Sequence, residues 1–217
     1  MLLIFDLDGT LIDSRLDLAH AVNATRAQAG RGPLPHEQIF SFVGNGAPVL
    51  IKRSMGPDAS DEEVRNALEF FLDYYRHHAL DYTVLYPGIH DALNLLHGSG
   101  ASLAVLTNKP VRISHRIMEG LGIASLFFKI YGGNSFEHKK PHPIGIDTLR
   151  AEANAPAEET WMVGDSYVDV QTARNAGVAS CGVTWGFQPE TFQEFPPDVL
   201  VDRLEDFADR FVRPSTT

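Results

Sequence analysis

The sequence predicts an α/β fold, a doubly wound parallel sheet with an inserted all-helical segment. Two observations lead to this prediction. Short apolar runs alternate with helix-length amphipathic segments through most of the chain, which is typical of strands and helices that follow one another in a parallel sheet. Residues 14–83, by contrast, contain helical periodicity and no good strand, so we expect a separate helical unit there.

Six apolar runs are the candidate strands: residues 2–5, 103–106, 127–131, 161–163, 178–183 and 199–201. The first is a continuous apolar run, as expected for a strand that is buried on both faces. Segments with helical spacing separate the later runs, and the last four residues, 214–217, are expected to fray.

The inserted segment begins at Ser14. Its first helix is expected to end near Gly30, and Ser60 with Glu63 has the pattern of a capping box before a long amphipathic helix. We therefore predict a catalytic core made of residues 1–13 and 84–217, and a helical cap made of residues 14–83.

Composition excludes several classes of partner. The chain has 217 residues and a formal charge of −10, which argues against binding to nucleic acid or an anionic membrane. Cys181 is the single cysteine, so no internal disulfide can form and a reducing compartment fits. The first apolar run is too short to span a membrane, and we expect a cytoplasmic protein, monomer or homodimer.

Polar side chains follow three of the predicted strands. Parallel sheets bind ligands beyond the carboxyl ends of their strands, where the strand order reverses, so these side chains are expected to form one site. They are Asp6 and Asp8 after the first strand, Thr107 and Asn108 after the second, Asp165 after the fourth, and Lys140 in the connection before it.

The acidic pair Asp6 and Asp8 is the strongest single signal. Two carboxylates at the end of a buried strand repel each other and lose solvation, which a fold tolerates mainly when a cation or a proton lies between them. The alternative is an ordinary Asp-Gly turn, which Asp8 and Gly9 also fit.

The motifs together resemble those of the haloacid dehalogenase superfamily. Its phosphatases carry Asp-x-Asp-Gly-Thr after a first strand, then Ser or Thr after a second, a Lys, and an acidic motif after a later strand. The matching residues here are Asp6-Leu7-Asp8-Gly9-Thr10, Thr107, Lys140 and Gly164-Asp165-Ser166-Tyr167-Val168-Asp169. The resemblance covers nearly the whole chain, and one branch carries a helical cap where residues 14–83 lie.

The resemblance implies a Mg²⁺-dependent phosphatase that acts on a small phosphorylated metabolite. It makes Asp6 the nucleophile and Asp8 the general acid and base, with Thr107, Asn108 and Lys140 on the phosphoryl group. The metal residues would be Asp6, Asp8 through its backbone carbonyl, and Asp165, with Asp169 as a further acidic residue that supports Asp165 or a metal-bound water.

Residues 43–47, 107–110 and 139–143 further resemble the phosphoglycolate phosphatase branch, which implies 2-phosphoglycolate as the substrate and Asn45 and Gly46 as cap contacts. Asn134 departs from that branch, where Asp is expected. Other phosphatases of sugar phosphates, nucleotides or pyrophosphate, and a phosphosugar mutase, share the same motifs. A receiver-type phosphoacceptor domain has a similar acidic site but no helical insert, and Asp8 disfavours a dehalogenase.

Overall fold

The structure is a computed structural model and describes residues 1–212. Its strands, in chain order, are β1 (Leu2–Phe5), β2 (Ile12–Asp13), β3 (Val84–Leu85), β4 (Ser102–Leu106), β5 (Lys129–Tyr131), β6 (Thr160–Gly164), β7 (Ala179–Val183) and β8 (Val199–Val201). Its helices are α1 (Arg15–Gln28), α2 (His36–Phe40), α3 (Ala47–Met55), α4 (Asp61–His78), α5 (Ile89–Gly98), α6 (Val111–Gly120), α7 (Ile144–Ala153), α8 (Tyr167–Ala176) and α9 (Leu204–Val212).

The main sheet has six strands in the order β5-β4-β1-β6-β7-β8, and every neighbouring pair is parallel. The strand order reverses at β1, so the crevice beyond the carboxyl ends of β1 and β6 is the switch point where such sheets bind ligands. The pairing extends one residue past β1, because the Asp6 N–H donates to the Val163 carbonyl at 2.9 Å. The predicted fold class is therefore confirmed.

Both faces of the sheet are covered, which explains the continuous apolar run of β1. Leu3 and Phe5 pack into the core shared with α5, α6 and α9, whereas Leu2 and Ile4 pack against residues of α7 and α8 on the opposite face. Strand side chains alternate in direction, so a strand between two helical layers must be apolar at every position.

The helical cap consists of α1 to α4, which pack on one another. The Ser60–Glu63 capping box at the start of α4 is confirmed. The chain enters and leaves the cap side by side, because β2 and β3 pair antiparallel with Ile12 opposite Leu85. This ribbon lies where the sequence predicts the boundaries of the cap, and the division at residues 13/14 and 83/84 stays a prediction.

A buried carboxylate ties the two ends of the cap together. Asp17 in α1 accepts hydrogen bonds from the Tyr82 N–H at 3.0 Å, from the Thr83 N–H at 2.8 Å and from Thr83 Oγ1 at 2.7 Å. The start of the first cap helix is thereby fixed to the segment that returns to the core.

The structure differs from the sequence prediction mainly at element ends. The third strand of the main sheet begins at Lys129, not at residue 127, because Ala124–Leu126 form a 3₁₀ turn just before it. The ribbon of β2 and β3 was not predicted, since two-residue strands carry no periodicity. The predicted frayed tail, residues 214–217, lies outside the described residues. None of the described helices is both long and apolar enough to cross a membrane.

Candidate active site

Asp6 and Asp165 lie at the switch point, each just beyond the end of its strand. Asp6 Oδ1 accepts from the Leu7 N–H at 2.7 Å and lies 3.0 Å from Lys140 Nζ. Asp165 Oδ2 accepts from the Phe187 N–H at 2.6 Å. The turn after β1 needs glycine here, because Gly9 has a φ of 79° and a Cβ on it would lie 2.1 Å from Asp165 Oδ2.

A third buried carboxylate joins this pair. Oxygen atoms of Asp6, Asp165 and Asp169 all lie within 4.8 Å of one another. Asp169 Oδ1 accepts from Lys140 Nζ at 2.6 Å, and Asp169 Oδ2 accepts from Ser166 Oγ at 3.1 Å. Lys140 therefore bridges Asp6 and Asp169 and lies at the position that the motif predicts.

Negative charge is in excess in this cluster. Burial raises the pKa of Asp6 to about 6, against the lowering effect of Lys140. Burial, together with the neighbouring Asp169 and Asp6, also raises the pKa of Asp165. Burial alone would lower the pKa of Lys140, but Asp169 and Asp6 outweigh it and raise that pKa.

One ammonium group thus faces three carboxylates, and their oxygens are the ligands that a hard divalent cation prefers. The residues present fit a bound metal ion, and such an ion would offset the burial and the mutual repulsion that raise both carboxylate pKa values.

The Asp8 carboxylate has different partners. Its Oδ1 accepts from Ser14 Oγ at 2.5 Å and from Lys109 Nζ at 2.8 Å, and its Oδ2 lies 3.1 Å from the same ammonium. Lys109 Nζ also donates to the Tyr75 hydroxyl of α4 at 2.6 Å. Two carboxylates separated by one residue therefore lie in distinct environments, Asp6 with Lys140 and Asp8 with Lys109.

Thr107 and Asn108 follow β4 and face the same site. Thr107 is buried, and its Oγ1 accepts from the Lys109 N–H at 3.3 Å. The Asn108 amide group donates to the carbonyls of Gly44 at 3.0 Å and Lys140 at 3.2 Å, and its Oδ1 accepts from the Lys140 N–H at 3.1 Å. Asn108 thus joins the cap loop, residues 43–47, to the loop that carries Lys140. Its contact with the substrate stays a prediction.

A cavity of about 50 Å³ lies between core and cap and contains these side chains. Residues that line it from the core include Asp6, Asp8, Thr107, Lys109 and Asp165, and those from the cap include Gly44, Gly46, Leu50, Phe71 and Tyr75. Asn45 is not among the described lining residues, although both neighbouring glycines are. The predicted contact of the cap loop with the site therefore falls on Gly44 and Gly46, and a substrate contact of Asn45 stays untested.

The cap loop is seated closely on the core. Gly46 has a φ of 84°, and a Cβ on it would lie 3.0 Å from the Asn108 carbonyl oxygen and 3.2 Å from Lys139 Nζ. Gln188 Nε2 donates to the Val43 carbonyl at 2.9 Å. Hydrogen bonds from Asn108 and Gln188 hold the loop over the cavity.

Asn134 has an evident structural role. Its Oδ1 accepts from the Val111 N–H at 2.9 Å, at the first residue of α6. An amide oxygen and a carboxylate oxygen can both accept this bond, so Asn134 serves the helix end where the related branch has Asp.

Sequence reasoning missed Lys109 and Tyr75. Lys109 directly follows Asn108 within residues 107–110, so its position there could have identified it as a site residue. Tyr75 belongs to the apolar stripe of α4 and is 1% exposed, which gives no hint that its hydroxyl reaches a lysine of the core. Only the packing of cap on core reveals that contact.

Known proteins are similar to this chain over nearly its whole length. Residues 3–183 match the family model of haloacid dehalogenase-like hydrolases. The chain is 38% identical over 215 residues to a phosphoglycolate phosphatase of Vibrio vulnificus, covering 96% of this chain and 94% of that protein. It is 40% identical over 210 residues to a phosphoglycolate phosphatase of Pseudomonas fluorescens, covering 94% and 76%.

A solved structure described as a predicted phosphoglycolate phosphatase from Haemophilus somnus superposes with a TM-score of 0.91 at 30% identity, covering 96% of each chain. These similarities confirm the predicted family and the predicted enzyme class, a phosphatase. The chain belongs to the haloacid dehalogenase-like hydrolase family.

Proposed function

We propose that this enzyme is a Mg²⁺-dependent phosphomonoester hydrolase that works through a phosphoaspartyl intermediate on Asp6, with 2-phosphoglycolate as its substrate. One observation carries the proposal. Asp6 lines the cavity, belongs to an acidic cluster suited to a cation, and is followed two residues later by a second carboxylate, Asp8, with its own ammonium partner. Such a site can bring an anionic nucleophile to an anionic phosphoryl group.

Asp6, Asp165 and the backbone carbonyl of Asp8 would hold the metal. Asp169 is occupied by Lys140 and Ser166, which supports a positioning role for it beside the ion. When bound, Mg²⁺ neutralises charge on the phosphoryl oxygens and on the attacking carboxylate.

The first step is attack by Asp6 on phosphorus. The Leu7 N–H and Lys140 both contact Oδ1, which orients the carboxylate and leaves Oδ2 as the attacking atom. Lys140 and Thr107 stabilise the phosphoryl oxygens as the bond to the leaving alcohol breaks. The product is an acyl phosphate on Asp6, so one difficult step becomes two easier ones.

Asp8 serves as acid and then as base. It gives a proton to the leaving oxygen in the first step and takes one from the water that cleaves the acyl phosphate in the second. Ser14 and Lys109 hold Oδ1 and so fix the carboxylate within the cavity. The cap excludes bulk water from this step.

The substrate assignment rests on the relatives and on size. The relatives named above are phosphoglycolate phosphatases, and a cavity of about 50 Å³ suits a small leaving group. Gly44 and Gly46 of the cap loop line the same cavity and limit its size on the cap side. A cytoplasmic location and a monomeric or dimeric state stay predictions from the sequence.

A panel of phosphate esters tests the substrate assignment. We expect the highest kcat/KM for 2-phosphoglycolate and lower values for sugar phosphates, nucleotides and pyrophosphate, because larger leaving groups would have to displace the cap loop at Gly44 and Gly46. Free phosphate and the products are measured for each ester. A higher kcat/KM for a nucleotide or sugar phosphate would contradict the assignment, and transfer of phosphate to a second sugar hydroxyl would indicate a mutase.

Removal of divalent metal should abolish hydrolysis, because the carboxylates of Asp6, Asp165 and Asp169 then lie together with only Lys140 to offset their charge. We expect Mg²⁺ to restore activity and to raise the unfolding temperature of the enzyme, since a ligand that binds only the folded state stabilises it. The Asp165→Asn variant should need more Mg²⁺ for both effects. Full activity after exhaustive chelation would rule out the metal-dependent mechanism.

Substitutions of the two aspartates should have unequal effects. Asp6→Asn should abolish turnover, because an amide does not form the acyl phosphate. Asp8→Asn should slow turnover by about 10²–10⁴ through loss of proton transfer. Steady-state rates and Mg²⁺ titrations of both variants check this, and substantial hydrolysis by Asp6→Asn would mean that water attacks the substrate directly.

A further inference from the structure

We propose that Tyr75 of the cap and Lys109 of the core form a relay that positions the catalytic carboxylate of Asp8. This relay rests on the proposed function, in which Asp8 transfers protons. Tyr75 acts through Lys109, which makes it a positioning residue. The closed cap thereby contributes to proton transfer as well as to covering the substrate.

Lys109 is buried between the Asp8 carboxylate and the cap. Its side chain is 3% exposed, and the Asp8 carboxylate is its partner in an ion pair of 2.8 Å. Its ammonium group also donates to the Tyr75 hydroxyl at 2.6 Å and lies 4.5 Å from the centre of the Tyr75 ring. One side chain of α4 thus contacts the ammonium through both its hydroxyl and its ring.

Tyr75 restricts the position of the Lys109 ammonium group. A lysine side chain has many rotamers and its ammonium is a mobile point charge, so Lys109 alone would hold Asp8 loosely. Tyr75 has few rotamers, and its ring stacks on Phe71 one turn earlier in α4, with centroids 5.4 Å apart. The Lys109 ammonium is therefore fixed by a tyrosine side chain that hydrophobic packing within the cap holds in place.

The position of the Lys109 ammonium group in turn affects the orientation of the Asp8 carboxylate. Ser14 and Lys109 approach the same oxygen, Oδ1, at 2.5 Å and 2.8 Å. Lys109 Nζ also lies 3.1 Å from Oδ2, so these two side chains set the orientation of the whole carboxylate. A displaced ammonium would let the carboxylate rotate, and small misplacements of a catalytic group cost large factors in rate.

The cap therefore influences proton transfer through three side chains in contact, Tyr75, Lys109 and Asp8. If Tyr75 merely satisfied a buried lysine, its hydroxyl would matter equally for every substrate. If it positions Asp8, its hydroxyl matters most where the leaving oxygen needs a proton. The leaving group thus distinguishes the two roles.

The test compares Tyr75→Phe with Tyr74→Phe, a matched control on the same helix whose ring stacks on His78 away from the cavity lining. Each is assayed for kcat/KM with the best alkyl phosphate of the panel and with acetyl phosphate, whose leaving group needs no proton. We expect Tyr75→Phe to lower kcat/KM about 10-fold for the alkyl ester and less than about 2-fold for acetyl phosphate. Tyr74→Phe should change neither.

A double-mutant cycle with Lys109→Met tests the route of the effect. If Tyr75 acts through Lys109, adding Tyr75→Phe to Lys109→Met should cause no further loss with the alkyl ester. Equal losses for both esters, a Tyr75→Phe enzyme indistinguishable from the unaltered one, or independent effects in the double variant would each overturn the relay. An unaltered enzyme that hydrolyses no phosphate ester would overturn the proposed function and the relay with it.

Discussion

The structure depends on one constraint, an excess of buried negative charge at the point where the strand order reverses. Asp6, Asp165 and Asp169 place carboxylate oxygens within 4.8 Å of one another, and Lys140 is the ammonium that contacts two of them. Such a cluster is costly unless a cation completes it. In the proposed mechanism a cation compensates these charges, so that the cluster can hold the metal beside the attacking carboxylate of Asp6.

The rest of the core is built to hold that cluster. Close packing at Gly9 brings the β1 turn against Asp165, and the loop after β7 supplies the Phe187 N–H that holds the same carboxylate. Asn108 connects the Lys140 loop to the cap loop at Gly44. Short polar contacts thus join the acidic cluster, the loop that carries Lys140 and the cap. A further ion pair, between Asp8 and Lys109, extends these contacts to Tyr75 of α4.

Sequence patterns predicted the strands, the helical cap and the residues of the acidic cluster, because apolar periodicity and motif position are local signals. The strand predicted at residues 127–131 begins only at Lys129, because Phe127 ends the 3₁₀ turn that precedes it. Lys109 and Tyr75 could not be paired from the sequence, because 34 positions separate them and only tertiary packing brings cap to core. The sequence predicted cap contacts at Asn45 and Gly46, and of these two Gly46 lines the cavity, together with Gly44.

The central claim is that Asp6 becomes covalently phosphorylated during turnover. Rapid acid quench of the enzyme with a substrate labelled in its phosphate, followed by peptide mapping, tests it most directly. The account predicts label on the peptide that contains Asp6, formed and lost at rates that match turnover. Turnover at full rate with no labelled protein, or label on a residue other than Asp6, would contradict it.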